Sequence, residues 1–450
     1  MAGLSGVVFT LSWWLGLYLL ARDPRKPVLV LAAIGLTGFA SVVALDAVRV
    51  VSGSALRGVV EISLVAVPGV AWFAVLLDLS RPRDRWRDRA GEVALVAAVA
   101  VASLVGAALA GTVDGPLRPG HWVMFAAVSL STLGALVYAA LRWAQPRPVL
   151  GFAAVATLFF ALGNAILVIP LGLVPSWLAL AATGVDIALL GVAVALWDAF
   201  DEGQALRADM LRSCTGTAAV ALLFGGQVLI GLAVTTEHVA LTVLLFTSLA
   251  VAVAVNVLAD PLAGLLDRIA FGRSSRLRAD RAALRSTEAA LPRLSTTPLN
   301  EVEDEIFTRL TRRALSHYGD LSKLIASPLT ALPIIDERLA ARGAPDQPLE
   351  RANELKAVLA ERIAALKPRT GGDFGTTEEW RYYNSLYFPY VVGVRAYAQN
   401  ATPAGLDPVA RQAWQWFVTE VPQRSLHNWQ KAAARLIAAD LRGTLVGGTV

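Results

Sequence analysis

The sequence predicts an all-α protein, a polytopic transmembrane bundle of about nine helices followed by a soluble all-helical domain. Three observations carry this expectation. Apolar residues make up 56% of the 450-residue chain and charged residues only 17%, whereas a soluble domain holds about 25% charged residues. The mean hydropathy is +0.56. Successive apolar stretches, each close to the roughly 20 residues needed to cross the hydrocarbon core as a helix, are divided by short loops such as RDPRKP, QPRP and VPS.

The spans fall near 4–21, 28–48, 60–79, 91–110, 122–143, 149–171, 177–198, 215–234 and 239–258. Helices are expected because no water is present in the bilayer core to satisfy an exposed backbone. Pro68 and Pro170 lie inside the third and sixth spans, where kinks are expected. The first segment, Gly3 to Ala21, has the length of a leader peptide. It has no basic residue before it, however, and Arg22, Arg25 and Lys26 follow it, so it reads as a retained first helix.

Loop charge predicts the orientation. The loops after spans one, three, five and seven carry twelve basic residues, among them Arg81, Arg83, Arg85, Arg87 and Arg89. The alternate loops carry three, Arg49, Arg57 and Arg118. The positive-inside rule then places the N-terminus outside and the C-terminal domain in the cytoplasm of a plasma (inner) membrane protein.

Four regions follow: a bundle over 1–259, a basic juxtamembrane connector over 260–300, a helical domain over 301–442 and a flexible tail over 443–450. In the helical domain Asn300 with Glu303, and Thr376 with Glu379, have the spacing of capping boxes. Leu355, Val358, Leu359, Ile363 and Leu366 form one helical stripe. Val409, Ala413, Trp416 and Phe417 form a second, and Leu426, Trp429, Ala433, Leu436, Ile437 and Leu441 a third. Pro389 predicts a kink or break.

Candidate functional residues are few. Asp186 lies near the middle of the seventh span. A carboxylate at that depth is expected to mark a ligand, ion or proton site, or else to be neutral or bonded to a neighbour such as Asn164 or Asn256. Asp46 and Asn164 are further candidates, with a local pair of Asp46 to Arg49 at i,i+3 as the alternative for Asp46. The apolar strip Leu265, Leu266, Ile269, Phe271 and the basic strip Arg268, Arg273, Arg276, Arg278 predict contact with anionic lipid headgroups. The bilayer and a cytoplasmic protein are the expected partners, with a homodimer also to be tested. The nearly balanced charge of the tail argues against nucleic acid. With one cysteine, Cys214, and four histidines, no metal or other cofactor is expected. No P-loop, HExxH or nucleophile elbow occurs, so no enzyme activity is expected.

The stretch LLDRIAFGRSSRLRADRAAL resembles the connector after the membrane domain of bacterial multi-span (seven-transmembrane type) sensor histidine kinases. Asp267, Arg268, Phe271, Gly272 and Arg273 carry the resemblance, and LARDPRKP after the first span is similar to those sensor regions. The resemblance implies a signal-transducing bundle. It stops near residue 290, because the tail has no ATP-binding boxes. SHYGDLSKLIASPL around His317 is similar to a phosphoacceptor segment, but Pro328 lies eleven residues beyond the histidine, too far for the usual spacing. GGDFG at 371–375 is similar to a cyclase signature without its acidic pair and reads as a loop. The leading expectation is a non-catalytic membrane sensor or scaffold. The alternative is a transporter or channel-like protein with a midplane site at Asp186.

Overall fold

The computed structural model describes residues 2–53, 55–80, 89–111, 116–142, 176–202, 206–272, 274–290, 298–369, 372–397, 403 and 405–447. Among them there is no β-strand. The protein is all-α, and its long apolar helices make it a multi-pass membrane protein. The chain divides into two units, Met1–Asp198 with Met210–Leu266, and Ala199–Asp209 with Asp267–Val450.

The first unit contains α1 (Ala2–Arg22), α2 (Pro27–Ser52), α3 (Ala55–Ser80), α4 (Arg89–Ala110), α5 (Pro119–Phe125), α6 (Ser131–Arg142), α7 (Ser176–Glu202), α8 (Leu206–Val234) and α9 (His238–Val257). Among the described residues, seven stretches are long and apolar enough to cross a bilayer, those of α1 to α4, of α5 with α6, and of α8 and α9. In α7 the apolar run Leu180–Leu196 is shorter. The sixth expected span, with Asn164 and Pro170, lies outside the described residues.

A π-helical turn, Ala126–Leu130, joins α5 to α6. On one side of it α5 packs on α4, and on the other α6 packs on α3. The α2–α3 hairpin turns at Gly53, whose φ of 65° is open to glycine at little cost. Pro68 stays inside α3, packed against Gly35 of α2. Helix α1 runs parallel to α9, since Phe9 meets Phe246 at 5.1 Å and Trp13 Nε1 donates to the Ala250 carbonyl. It also runs parallel to α7, because Gly184 faces Val8 and Gly191 faces Leu15. These are the relative directions that spans one, seven and nine of the expected order would take.

Lipid tails are as apolar as leucine, so helices in a membrane associate through close packing at small residues. Among the described glycines, the closest approach to a neighbouring helix's backbone is between α4 and α5. A Cβ on Gly120 would lie 2.2 Å from the Ala110 nitrogen and 2.3 Å from the Gly106 carbonyl oxygen. Backbone cannot yield as a flexible side chain can.

The second unit contains α11 (Ser275–Ala290), α12 (Asp304–Ser316), α13 (Leu321–Ile325), α14 (Pro333–Arg342), α15 (Pro348–Ala365), α16 (Arg381–Leu386), α17 (Pro408–Glu420) and α18 (Gln423–Gly447). Between the units' sequences, α10 (Ala259–Ala270) follows α9 after one residue. The larger core gathers Phe307, Leu315, Leu324, Leu329, Leu355 and Ile437. A smaller one gathers Phe388, Ala413, Trp416 and Phe417. Helix α18 serves both, with Leu426 in the smaller core and Ala433, Ile437 and Leu441 in the larger. Arg362–Asp440 at 2.9 Å and Arg442–Asp304 at 2.8 Å tie α18 to α15 and α12.

Several expectations need correction. Neither proposed capping box forms. Glu303 is itself the N-cap of α12, without a side-chain bond, and Asn300 sits in a short 3-10 turn before it. Thr377, not Thr376, precedes the 3-10 turn Glu378–Trp380. Caps form instead where an acidic residue precedes a free N–H, as when Asp407 accepts from Ala410 N at 2.8 Å. Leu436 is exposed, because the buried face of α18 follows Ala433, Ile437 and Leu441. At Pro389, where a kink or break is expected, the α-helix has already given way after Leu386. The proline lies in a second π-helical segment, Tyr387–Val392, which ends at Gly393. Within the connector, α11 packs on α13 and α15 and falls in the second unit. The tail residues 443–447 are helical, as the end of α18.

Two outcomes follow. Gly120→Ala should cost about 1–3 kcal/mol through overpacking, read as a lower melting temperature in detergent. Gly134→Ala in α6, where a Cβ meets nothing within 4 Å, should leave that temperature unchanged or raise it. A fragment starting at Asp267 should melt cooperatively by circular dichroism and at a higher temperature than one starting at 301. Equal midpoints would show that α11 adds nothing to the fold.

Candidate functional site

Four carboxylates are buried among the described residues, and their surroundings differ: Glu354 of α15 pairs with Arg342 of α14 at 3.2 Å, and the other three are Glu61, Asp267 and Asp186. Glu61 opens the apolar part of α3 and is 3% exposed. Arg49, near the end of α2, donates from Nε to Glu61 Oε2 at 2.6 Å and from Nη2 to Asp46 Oδ1 at 2.6 Å. The short turn at Gly53 brings α2 and α3 together in antiparallel register and so sets Arg49 beside Glu61. One guanidinium therefore serves two carboxylates, and a bonded pair of this kind offsets the cost of burial. Asp46, singled out in the sequence, is half of the local pair with Arg49. Glu61 was not singled out. Its signal was the hairpin itself, which places an acidic residue across from Arg49.

Asp267 is the second. It lies on α10 and is 5% exposed. Arg281 donates from Nε to its Oδ1 at 3.0 Å, and Arg285 donates from Nη1 to Oδ2. The chain between them turns at Phe271 and Gly272, and the Arg281 guanidinium stands 5.3 Å from the Phe271 ring centroid. The four-residue spacing of Arg281 and Arg285 puts both on one face of α11. The Arg285 and Arg281 guanidinia hold the Asp267 carboxyl below its usual range. Of the four connector arginines named from the sequence, Arg268 and Arg276 are exposed, Arg278 is half-buried, and Arg273 lies outside the described residues.

Asp186 is the third and has no such partner. It lies in α7, 5% exposed, and neither carboxylate oxygen has a hydrogen-bond partner among the described residues. Asn256 does not reach it, donating instead to Thr217 Oγ1 on α8 at 3.2 Å. Asn164 lies outside the described residues. The glycines on either side draw α7 against α1. A Cβ on Gly184 would come within 2.8 Å of Val8 Cγ1, and one on Gly191 within 2.3 Å of Leu15 Cδ2. That register sets Ser12 of α1 about two residues, or roughly 3 Å along the axis, from the level of Asp186. The Ser12 hydroxyl is fully buried and also without a partner among the described residues. Nothing in the sequence singles out Ser12, since a serine in an apolar helix ordinarily bonds its own preceding turn.

In the second unit, His317 is the half-buried C-cap of α12. The glycine loop is a packing element. Gly375 lies against the Trp380 indole, where a Cβ would come within 2.5 Å, and its carbonyl accepts from Asn384 Nδ2 at 2.8 Å. The aromatic residues are largely core: Tyr383 stacks on Tyr387 at 4.9 Å and Trp416 on Trp429 at 5.9 Å. No group of three or more His, Cys, Asp or Glu that could hold a metal occurs among the described residues.

The Asp267 clamp has a testable pH dependence. A carboxyl held below its usual value contributes stability above that value and loses it as pH falls through the lowered one. Full-length protein should therefore lose exchange protection in α10 and α11 as pH drops below about 4. Asp267→Asn should show reduced protection already at neutral pH and no further loss on acidification. Identical profiles for the two proteins would mean that the ion pairs do not hold the hairpin.

Compared with known proteins, the chain matches no family model, no curated protein and no solved structure.

Proposed function

We propose that the protein is a non-catalytic membrane sensor, in which the bundle receives a stimulus at Asp186 and the helical unit over 267–447 relays it to a cytoplasmic protein. The observation that carries this reading is the buried carboxylate of Asp186, which has no hydrogen-bond partner among the described residues. An ionised aspartate at such depth costs about 3 kcal/mol by insertion measures, and leaving a buried polar group unsatisfied costs about 1–3 kcal/mol. Packing alone gives no reason to keep such a group. A ligand with a hydrogen-bond donor, a cation or a proton would supply what it lacks. The resemblance of the connector to sensor regions supports the same reading, with the orientation expected from loop charge. The stimulus acts only through different affinity for two arrangements of the bundle.

Asp186 also supports the second reading, a secondary transporter with its substrate site at that residue. The two readings separate in their outputs.

For the sensor, Asp186→Asn and Asp186→Leu should keep the protein folded, and Leu should raise thermal stability in detergent by about 1–3 kcal/mol. Both should alter hydrogen exchange within 267–447 of the full-length protein. Unchanged exchange there, together with Asp186-dependent proton or cation uptake in proteoliposomes, would replace the sensor with the transporter. A lower stability for Leu would show that Asp186 has a structural partner and carries neither role.

A further inference from the structure

We infer that the α10–α11 hairpin is an interfacial device that seats its apolar face in the bilayer and binds anionic phospholipid headgroups. The argument is independent of Asp186. Leu262, Leu265, Leu266 and Ile269 recur at intervals of three and four, so they form one stripe on α10. All four are exposed, Ile269 by 74%. Asp267 projects from a different face, and its carboxylate is taken by Arg281 and Arg285 of α11. The stripe is therefore on the side of α10 that α11 leaves open.

Chain connectivity places this stripe at the membrane surface. Helix α9 is one of the apolar spans and ends at Val257, and α10 begins at Ala259. The backbone hydrogen bonds Leu258 N to Ala254 O and Leu262 N to Leu258 O carry the chain from one helix into the next. A 12-residue helix with a leucine–isoleucine face, entered directly from a span, has the acyl boundary within reach. Burial of such a face beside basic residues is how amphipathic helices bind the interface.

The charges on the hairpin fit the same surface. Arg268 beside the stripe and Arg276 on α11 are exposed, while Arg281 and Arg285 are bonded to Asp267. The exposed acidic residues on α11 are Asp280 and Glu288. Of these four arginines, two are taken by the clamp and two face outward, while Arg278 is half-buried. An arginine near an anionic surface contributes about 1 kcal/mol, or roughly fivefold in occupancy, so two contribute roughly ten- to thirtyfold.

The test uses full-length protein with Cys214→Ser and a single fluorophore attached at Leu266→Cys, in nanodiscs carrying a lipid-attached quencher. Quenching should occur in zwitterionic discs, and should deepen in zwitterionic–anionic discs in a way that salt reverses. Arg268→Gln with Arg276→Gln should abolish the anionic increment and leave the zwitterionic quenching in place. Absence of quenching in both discs would overturn the seating of the stripe. An anionic increment that survives the double substitution would overturn the headgroup assignment. Disulfide crosslinking of Leu266→Cys between two copies, without quenching, would assign the face to a second chain and overturn the proposal.

Discussion

Close approach of a neighbouring helix at glycine is the constraint on which the membrane unit depends. Within a bilayer the apolar surface of one helix gains little by leaving lipid for another helix, so contact must come from fit. The structure meets this repeatedly: Gly16 against Thr37, Gly38 against Val67, Gly69 against Val128, Gly120 against Ala110, and Gly184 and Gly191 against α1. Each of these helices touches its neighbour where a side chain has been removed. The second unit works by the opposite rule. Its helices are held apart by large side chains such as Phe307, Leu355 and Phe417 that leave water on folding, and the hydrophobic effect supplies the attraction.

Much of the architecture was legible in the sequence because hydropathy and length report directly on the solvent a helix needs. The spans of α1 to α4, and the stripe Leu355, Val358, Leu359 and Ile363, are examples, the last fully buried. What was illegible depended on contacts distant in sequence. The pairing of Arg49 with Glu61 needs the register of a hairpin, and the clamp on Asp267 needs the turn at Gly272. The absence of a described partner for Asp186 and Ser12 needs the packing of α7 on α1. The capping boxes failed for a local reason: a matching spacing of side chains does not say where the first helical hydrogen bond will close, and the 3-10 turns displaced both starts.

The buried carboxylates make a comparison inside one molecule. Glu61, Asp267 and Glu354 each meet arginine, so their burial is explained by the fold around them. Asp186 meets none among the described residues. Where the chain repeatedly places a guanidinium beside a buried acid, Asp186 departs from the pattern.

The π-helical turn at Ala126–Leu130 has a consequence for how this sequence can change. An α-helix advances about 100° per residue, and one π turn accommodates one extra residue. The span of α5 and α6 is therefore out of phase with itself, which lets its first part face α4 and its second part face α3. The residue count between Pro119 and Arg142 thus acts as a phase setting. Substitutions that keep the count leave the faces where they are, whereas loss or gain of one residue rotates every later side chain toward a different neighbour.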